Sequence, residues 1–173
     1  MKRRQFRLAA LAFVLGAAWL GALRMPPAVA QSPEQLIDLG TRVHGAFGTY
    51  IALGIRIGND ALATLKAKPR EVDVTLHSGP KAPCPCLVDG IMIVTAASPG
   101  QGTLRVANEP AAEDQIGVVI IRHRRDGQSV RYIVPVSAGP KLFAWNREKS
   151  PRERLDAVLQ EPAENLFVRE ISK

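Results

Sequence analysis

The sequence predicts an α+β fold: N-terminal helices packed on a mostly antiparallel or mixed sheet, with one buried helix inserted among the strands. Three observations carry this. Apolar residues recur at helical spacing between residues 33 and 66, strand-forming segments follow at 71–77, 116–121 and 131–136, and residues 86–95 are apolar nearly throughout.

The first helix opens at Ser32-Pro33-Glu34-Gln35, where Ser32 can cap and Pro33 suits the first helical position. Leu36, Ile37, Leu39 and Val43 give it an apolar face as far as about His44, and Gly45 and Gly48 mark a break. A second helix is expected from Thr49 to Lys66, with Ile51, Ile55, Ala61, Leu62 and Leu65 on one side. Its Gly54 and Gly58 lie four apart on one face. Each costs up to ~1 kcal/mol relative to Ala, and the spacing suggests close approach of another backbone, with simple tolerance of the glycines as the alternative.

Lys68-Pro69 ends that helix, and Glu71–His77 alternates as a strand with one buried face. Residues 78–85 form a loop leading to the buried helix at Cys86–Thr95. The glycine turn Ser98-Pro99-Gly100-Gln101-Gly102 leads into Thr103-Leu104-Arg105-Val106. Two further strands flank Arg122-His123-Arg124-Arg125-Asp126-Gly127, which reads as a hairpin turn with solvated flanks, an anion site being the alternative. A last helix is capped at Ser150, with Leu155, Val158 and Leu159 facing inward, and Phe167–Ile171 adds an edge strand.

Residues 1–30 have the parts of a cleavable export signal: a basic start at Lys2, Arg3, Arg4 and Arg7, an apolar run from Leu8 to Leu23, and small residues before Gln31. Arg3-Arg4-Gln5-Phe6 is similar to a twin-arginine address, although Lys2 stands where Ser or Thr is usual. The expected mature chain, residues 31–173, is one domain in a bacterial periplasm with no stable membrane anchor. The whole sequence carries 23 basic and 16 acidic residues, but five of the basic ones lie in the signal. A net charge of +2 then remains, which gives no support to nucleic-acid binding.

Cys84 and Cys86 are the two cysteines, one residue apart at the start of the buried helix. Tetrahedral zinc takes ligands from thiolate, imidazole and carboxylate, and soft sulfur also suits Cu(I). Cys84, Cys86, His44 and His77 are the ligands on offer for zinc or another transition metal, and His123 lies further along the chain. An oxidising compartment favours a Cys84–Cys86 disulfide instead, in a tight ring that should be strained. Cys86 near a helix N-terminus would have its thiolate stabilised. Metal and disulfide both remain open from the residues alone. His44 reads equally as a helix C-terminal cap, Asp89 as a cap or hydrogen-bond partner, and Phe47 and Tyr50 as core.

Three segments carry a resemblance. His44-Gly45-Ala46-Phe47-Gly48-Thr49-Tyr50-Ile51-Ala52-Leu53-Gly54, Cys86-Leu87-Val88-Asp89-Gly90-Ile91 and Thr95-Ala96-Ala97-Ser98-Pro99-Gly100-Gln101-Gly102-Thr103-Leu104 follow one another as the motifs H-G-H-x-C-P-G-x-x-x-G, C-x-V-D-A-I and T-G-C-T-x-G-K-G-N-L do. The chain resembles the FmdE-like domains of formylmethanofuran dehydrogenase over roughly His44 to Val136. The resemblance implies the fold, the Asp89 position and the glycine turn at Gly100 and Gly102, while the family's metal site does not carry over intact. The cleft expected for a metal or small ligand lies between His44–Tyr50 and Cys84–Asp89, with Tyr50, Asp89, Gly100 and Gly102 as candidate ligand-cleft residues. Ala46, Gly48 and Ala97 replace a His and two Cys that look like metal ligands in the family, and Cys84 is an addition.

The expected function is therefore an exported FmdE-like binding or accessory protein, holding a metal ion or small ligand. The alternatives are a thiol-redox or metal-dependent enzyme centred on Cys84 and Cys86, and an accessory protein without metal that docks a protein partner or a second copy of itself. No nucleophile triad, phosphate loop or paired-carboxylate pattern assigns a reaction. Cleavage after Ala30 gives a mature N-terminus at Gln31. Intact-mass measurement of protein released from the periplasm checks this, and a chain still starting at Met1 would contradict it.

Overall fold

The computed structural model describes residues 31–172, so the export segment expected at residues 1–30 lies outside the described residues. Helix α1 (Pro33–His44) begins in a capping box in which Ser32 Oγ accepts from Gln35 N and Gln35 Oε1 accepts from Ser32 N. Gly45 closes it at φ 95°, a left-handed conformation that favours glycine. Helix α2 (Thr49–Thr64) begins after a short break and is buried on nearly every side.

Strand β1 (Val72–Ser78), helix α3 (Leu87–Thr95) and strand β2 (Leu104–Val106) form a crossover unit, because β1 and β2 pair in parallel. Strands β3 (Gln115–His123), β4 (Ser129–Pro135) and β5 (Val168–Ser172) extend the sheet antiparallel from the other side of β1, giving the order β2-β1-β3-β4-β5. The α+β expectation holds, with five helices and a five-stranded mixed sheet among the described residues. The β3–β4 connection is the expected hairpin turn: Gly127 takes φ 77°, and Asp126 Oδ1 accepts from Gln128 N at 3.0 Å.

Strand parity decides which side chains enter the core. Val72, Val74 and Leu76 of β1 are buried, and their register partners Ile121 and Val119 of β3 share that face with Val130 and Tyr132 of β4. Against them lie Ile51, Ile55, Leu87 and Ile91 of the helices. The opposite face carries Asp73, Thr75 and His77 with Ile120 and Arg122, and it is covered far less completely.

Backbone contact sets how α2 and α3 pack. A Cβ added to Gly54 would land on the carbonyl oxygen of Leu87 and come within 3.0 Å of Gly90 Cα. A Cβ on Gly90 would in turn strike Ile51 O and reach 2.7 Å from Ile55 N. At Gly58 the obstacle is the side chain of Val94. The Gly54/Gly58 spacing thus reflects the close helix approach it implied.

Two features differ from the sequence expectation. Helix α4 (Gly139–Glu148) has no counterpart there, because Leu142 is its one fully buried residue, leaving no apolar period to detect. In helix α5 (Pro151–Gln160), Leu155 and Val158 are buried as expected, but Leu159 is 42% exposed. A one-residue step on a helix turns by about 100°, which carries Leu159 off the core face.

Polar contacts tie the C-terminal elements to α2. Arg56 Nη1 donates to Val158 O and Glu161 O, both at 2.6 Å, at the C-terminal end of α5 where carbonyls lack intrahelical partners. The Tyr132 hydroxyl donates to Asp60 Oδ2 at 2.6 Å, and Arg169 Nη1 donates to both carboxylate oxygens of Asp60. Burial, and next Asp60, raise the Tyr132 pKa far above the ordinary phenol value, so it remains a donor.

Gly54→Ala should lower unfolding stability by about 1–3 kcal/mol or more, because the new methyl group meets backbone that cannot swing aside. Gly100→Ala should stay within about 0.5 kcal/mol, since a Cβ there meets nothing within 4 Å. Urea denaturation of both variants checks the contrast, and equal midpoints would refute the packing argument.

Candidate metal centre and cleft

Three donor groups converge where α1 ends and α3 begins. One ligand atom from each of His44, Cys84 and Cys86 can be chosen so that all lie within 4.8 Å of one another. His44 is the last residue of α1, Cys84 lies in the β1–α3 loop, and Cys86 is the N-cap of α3. Cys84 and Cys86 are joined as a disulfide with their Cα atoms 5.2 Å apart. Of the alternatives the sequence leaves open, the structure holds the disulfide, and its sulfurs are the same ones a metal would use.

The imidazole is positioned by a carboxylate. His44 Nδ1 lies 2.8 Å from Asp89 Oδ2, and Asp89 occupies the first turn of α3, where a negative charge suits the helix dipole. Engagement of Nδ1 leaves Nε2 as the ring nitrogen available to a ligand. Asp89 is thus the hydrogen-bond partner that its sequence position suggested. The His44 side chain turns to Asp89, while the backbone N of Gly45 closes α1 on Thr41 O.

A cavity of about 230 Å³ opens beside these residues. His44, Cys84 and Cys86 line one side, Phe47, Tyr50 and Phe143 give apolar walls, and Asn146 and Arg154 supply polar groups from α4 and α5. Burial pushes the Tyr50 hydroxyl up from its ordinary pKa, keeping it neutral. Ala46 and Gly48 also line this space, so two of the positions where family-like ligands would project are occupied by small residues. A second depression of about 330 Å³ adjoins it through shared Tyr50, Pro83 and Phe143.

The wall from α4 and α5 is fastened to the start of α2. Gly48 caps α2 without a side chain, and Asn146 Oδ1 accepts from Thr49 N at 3.2 Å in its place. Thr49 Oγ1 donates to Leu142 O at 2.9 Å, and Arg154 Nη1 donates to Phe47 O at 2.8 Å. Phe143, Asn146 and Arg154 are the site residues that sequence reasoning missed. Two of them stand on α4, which has no readable apolar period, and the other carries no signal beyond being a charged helical residue.

Three expected site residues lie elsewhere. Parity places His77 on the sheet face opposite Leu76, away from the helices and the sulfurs. There its Nδ1 lies 3.0 Å from Glu109 O, and the side chain lines a separate depression with Gly102 and Arg122. Gly100 and Gly102 belong to the short turn at Pro99–Gln101, where Ser98 Oγ accepts from Gln101 N and Gly102 takes φ 66°. Their part is to turn the chain into β2, and neither lines the cleft.

Residues 43–170 match the model of the family described as FmdE, molybdenum formylmethanofuran dehydrogenase operon. The match runs past Val136 and takes in α4, α5 and most of β5. No curated protein matches the chain.

Asn146→Ala removes the borrowed cap of α2 and should cost about 1 kcal/mol of stability, as the loss of an N-cap usually does. Thermal unfolding checks this, and an unchanged midpoint would mean that water replaces the amide oxygen.

Proposed function

The chain belongs to the FmdE family, and from that premise we propose that it is an exported binding protein with an accessory role, holding a thiophilic transition-metal ion in the cleft at His44, Cys84 and Cys86. The convergence of these three donors within 4.8 Å, at the mouth of a cavity, carries the reading. Two thiolates and one imidazole suit zinc or Cu(I) better than a hard cation.

The donor set supports binding at an open site more than a structural role. Structural zinc is usually closed by four protein ligands, whereas here the described residues supply three and the cavity adjoins them. The Asp89 carboxylate on His44 Nδ1 is the outer partner that metal-bound imidazoles usually have, fixing tautomer and ring orientation. Ala46 and Gly48, in place of bulkier ligands, leave room for a further ligand of the ion. Bound metal would supply Lewis-acid character at that position, and the chain's residues would hold and orient what enters.

Metal analysis of reduced protein, purified without added metal and titrated with zinc, tests the proposal. One ion per chain is expected, lost in Cys84→Ala/Cys86→Ala and weakened roughly 10- to 100-fold in Asp89→Ala. His77→Ala should bind as the parent does. Zinc uptake that depends on His77 and not on His44, or no uptake by the reduced protein, would overturn the reading.

A further inference from the structure

We propose that the Cys84–Cys86 disulfide is a redox lock on this cleft, closed to metal when oxidised and opened by a dithiol reductant. The lock rests on the metal-binding reading above and adds how the site is controlled. Its foundation is a shared use of atoms. Cys84 Sγ and Cys86 Sγ form the disulfide, and the same two sulfurs with His44 form the donor group. Metals take thiolate sulfur, so the bond and the metal site exclude each other. With the bond closed, His44 is the single donor left of the three.

The two sulfurs are not equivalent. Cys84 is half-buried in the loop, whereas Cys86 is 7% exposed and sits at the N-terminus of α3. An incoming thiolate therefore reaches Cys84. As it bonds to Cys84 Sγ, the Cys84–Cys86 bond breaks and Cys86 leaves with the electron pair as a thiolate. The N-terminal end of a nine-residue helix stabilises that charge.

The reductant's second thiol then attacks its own sulfur in the mixed disulfide and releases Cys84. Two electrons pass from the reductant to the protein, and the reductant departs as a disulfide. Its two protons end on Cys84 and Cys86, to be lost when a divalent ion binds.

The surroundings favour a reversible exchange. Pro83 and Pro85 bracket Cys84 and fix φ on both sides of it, so the loop has little freedom to carry the sulfurs apart after reduction. Asp89 holds His44 independently of the bond. Opening the lock thus exposes a site whose third donor is already in position.

The test uses the mature protein in two states, oxidised and reduced with dithiothreitol, each freed of reagent under argon. Both are titrated with zinc against a chromophoric competitor, with thiols counted by alkylation. Reduced protein should bind one zinc that protects two thiols from alkylation, and oxidised protein should bind at least roughly 100-fold more weakly. Equal affinity in both states, with both thiols of the reduced protein still protected by zinc, would overturn the lock and leave the thiolate site standing; equal affinity without that protection would remove both. Failure of both states to bind would remove the metal site and the lock together. In a parallel arm, oxidised protein is exposed to excess glutathione and the adduct is mapped by mass spectrometry. An adduct on Cys84 supports the order of attack, and one on Cys86 overturns it.

Discussion

The contact on which this site depends is the backbone approach of α2 and α3. Gly54 on one helix and Gly90 on the other bring each main chain against its neighbour, with no room for a side chain between them. The entropic cost of glycine inside two helices, up to about 1 kcal/mol per residue relative to alanine, is offset by what this proximity buries. Ile51, Ile55, Leu87 and Ile91 are all brought out of water around it. Because α3 is held so tightly, its first turn has a fixed position relative to α2. That turn carries Cys86 at the N-cap and Asp89 three residues on.

The rest of the site depends on that placement. The break at Gly45–Gly48 separates α1 from α2, leaving His44 at the end of α1 opposite the first turn of α3. Asp89 then takes the imidazole across a short gap. On the other side, α4 and α5 are fastened to α2 by side-chain to backbone hydrogen bonds, not by packing alone. Asn146 caps Thr49, Thr49 reaches Leu142, and Arg56 satisfies carbonyls at the end of α5. Arg56 also lies with Cζ 5.7 Å from the Phe167 ring centroid, so one side chain joins α2 to α5 and to the segment entering β5.

Features set by local period and local chemistry were legible in the sequence. The capping residues Ser32 and Ser150, the glycine pair in α2 and the alternation of β1 each act on near neighbours, and each matched the structure closely. The resemblance placed Cys86 and Asp89 at the start of a helix because those residues share one motif. His77 shows where such reasoning stops. It is near the cysteines along the chain, yet parity sends it through the sheet to the other face, since Leu76 must face the helices. Gly100 and Gly102 failed for a related reason, being conformational residues of a turn and not part of the cleft lining. Phe143 and Asn146 were invisible because α4 is held by caps and one leucine, leaving little apolar pattern to read.

The spacing of Cys84 and Cys86 is where fold and chemistry meet. A single intervening residue keeps two sulfurs close in either redox state, so their proximity depends little on the rest of the domain. His44 is different: its place depends on α1, on Asp89 and, through α3, on the glycine contact with α2. The donor group therefore combines a locally fixed pair with a residue positioned by tertiary structure. Damage to the helix packing would scatter the imidazole from the sulfurs while leaving the disulfide able to form. Loss of the cysteines, by contrast, leaves the Gly54–Gly90 backbone approach in place, although Cys86 is itself part of the core. Core packing and ligand capture meet at Cys86, which is buried in the core, and at Asp89, which ties the imidazole to α3.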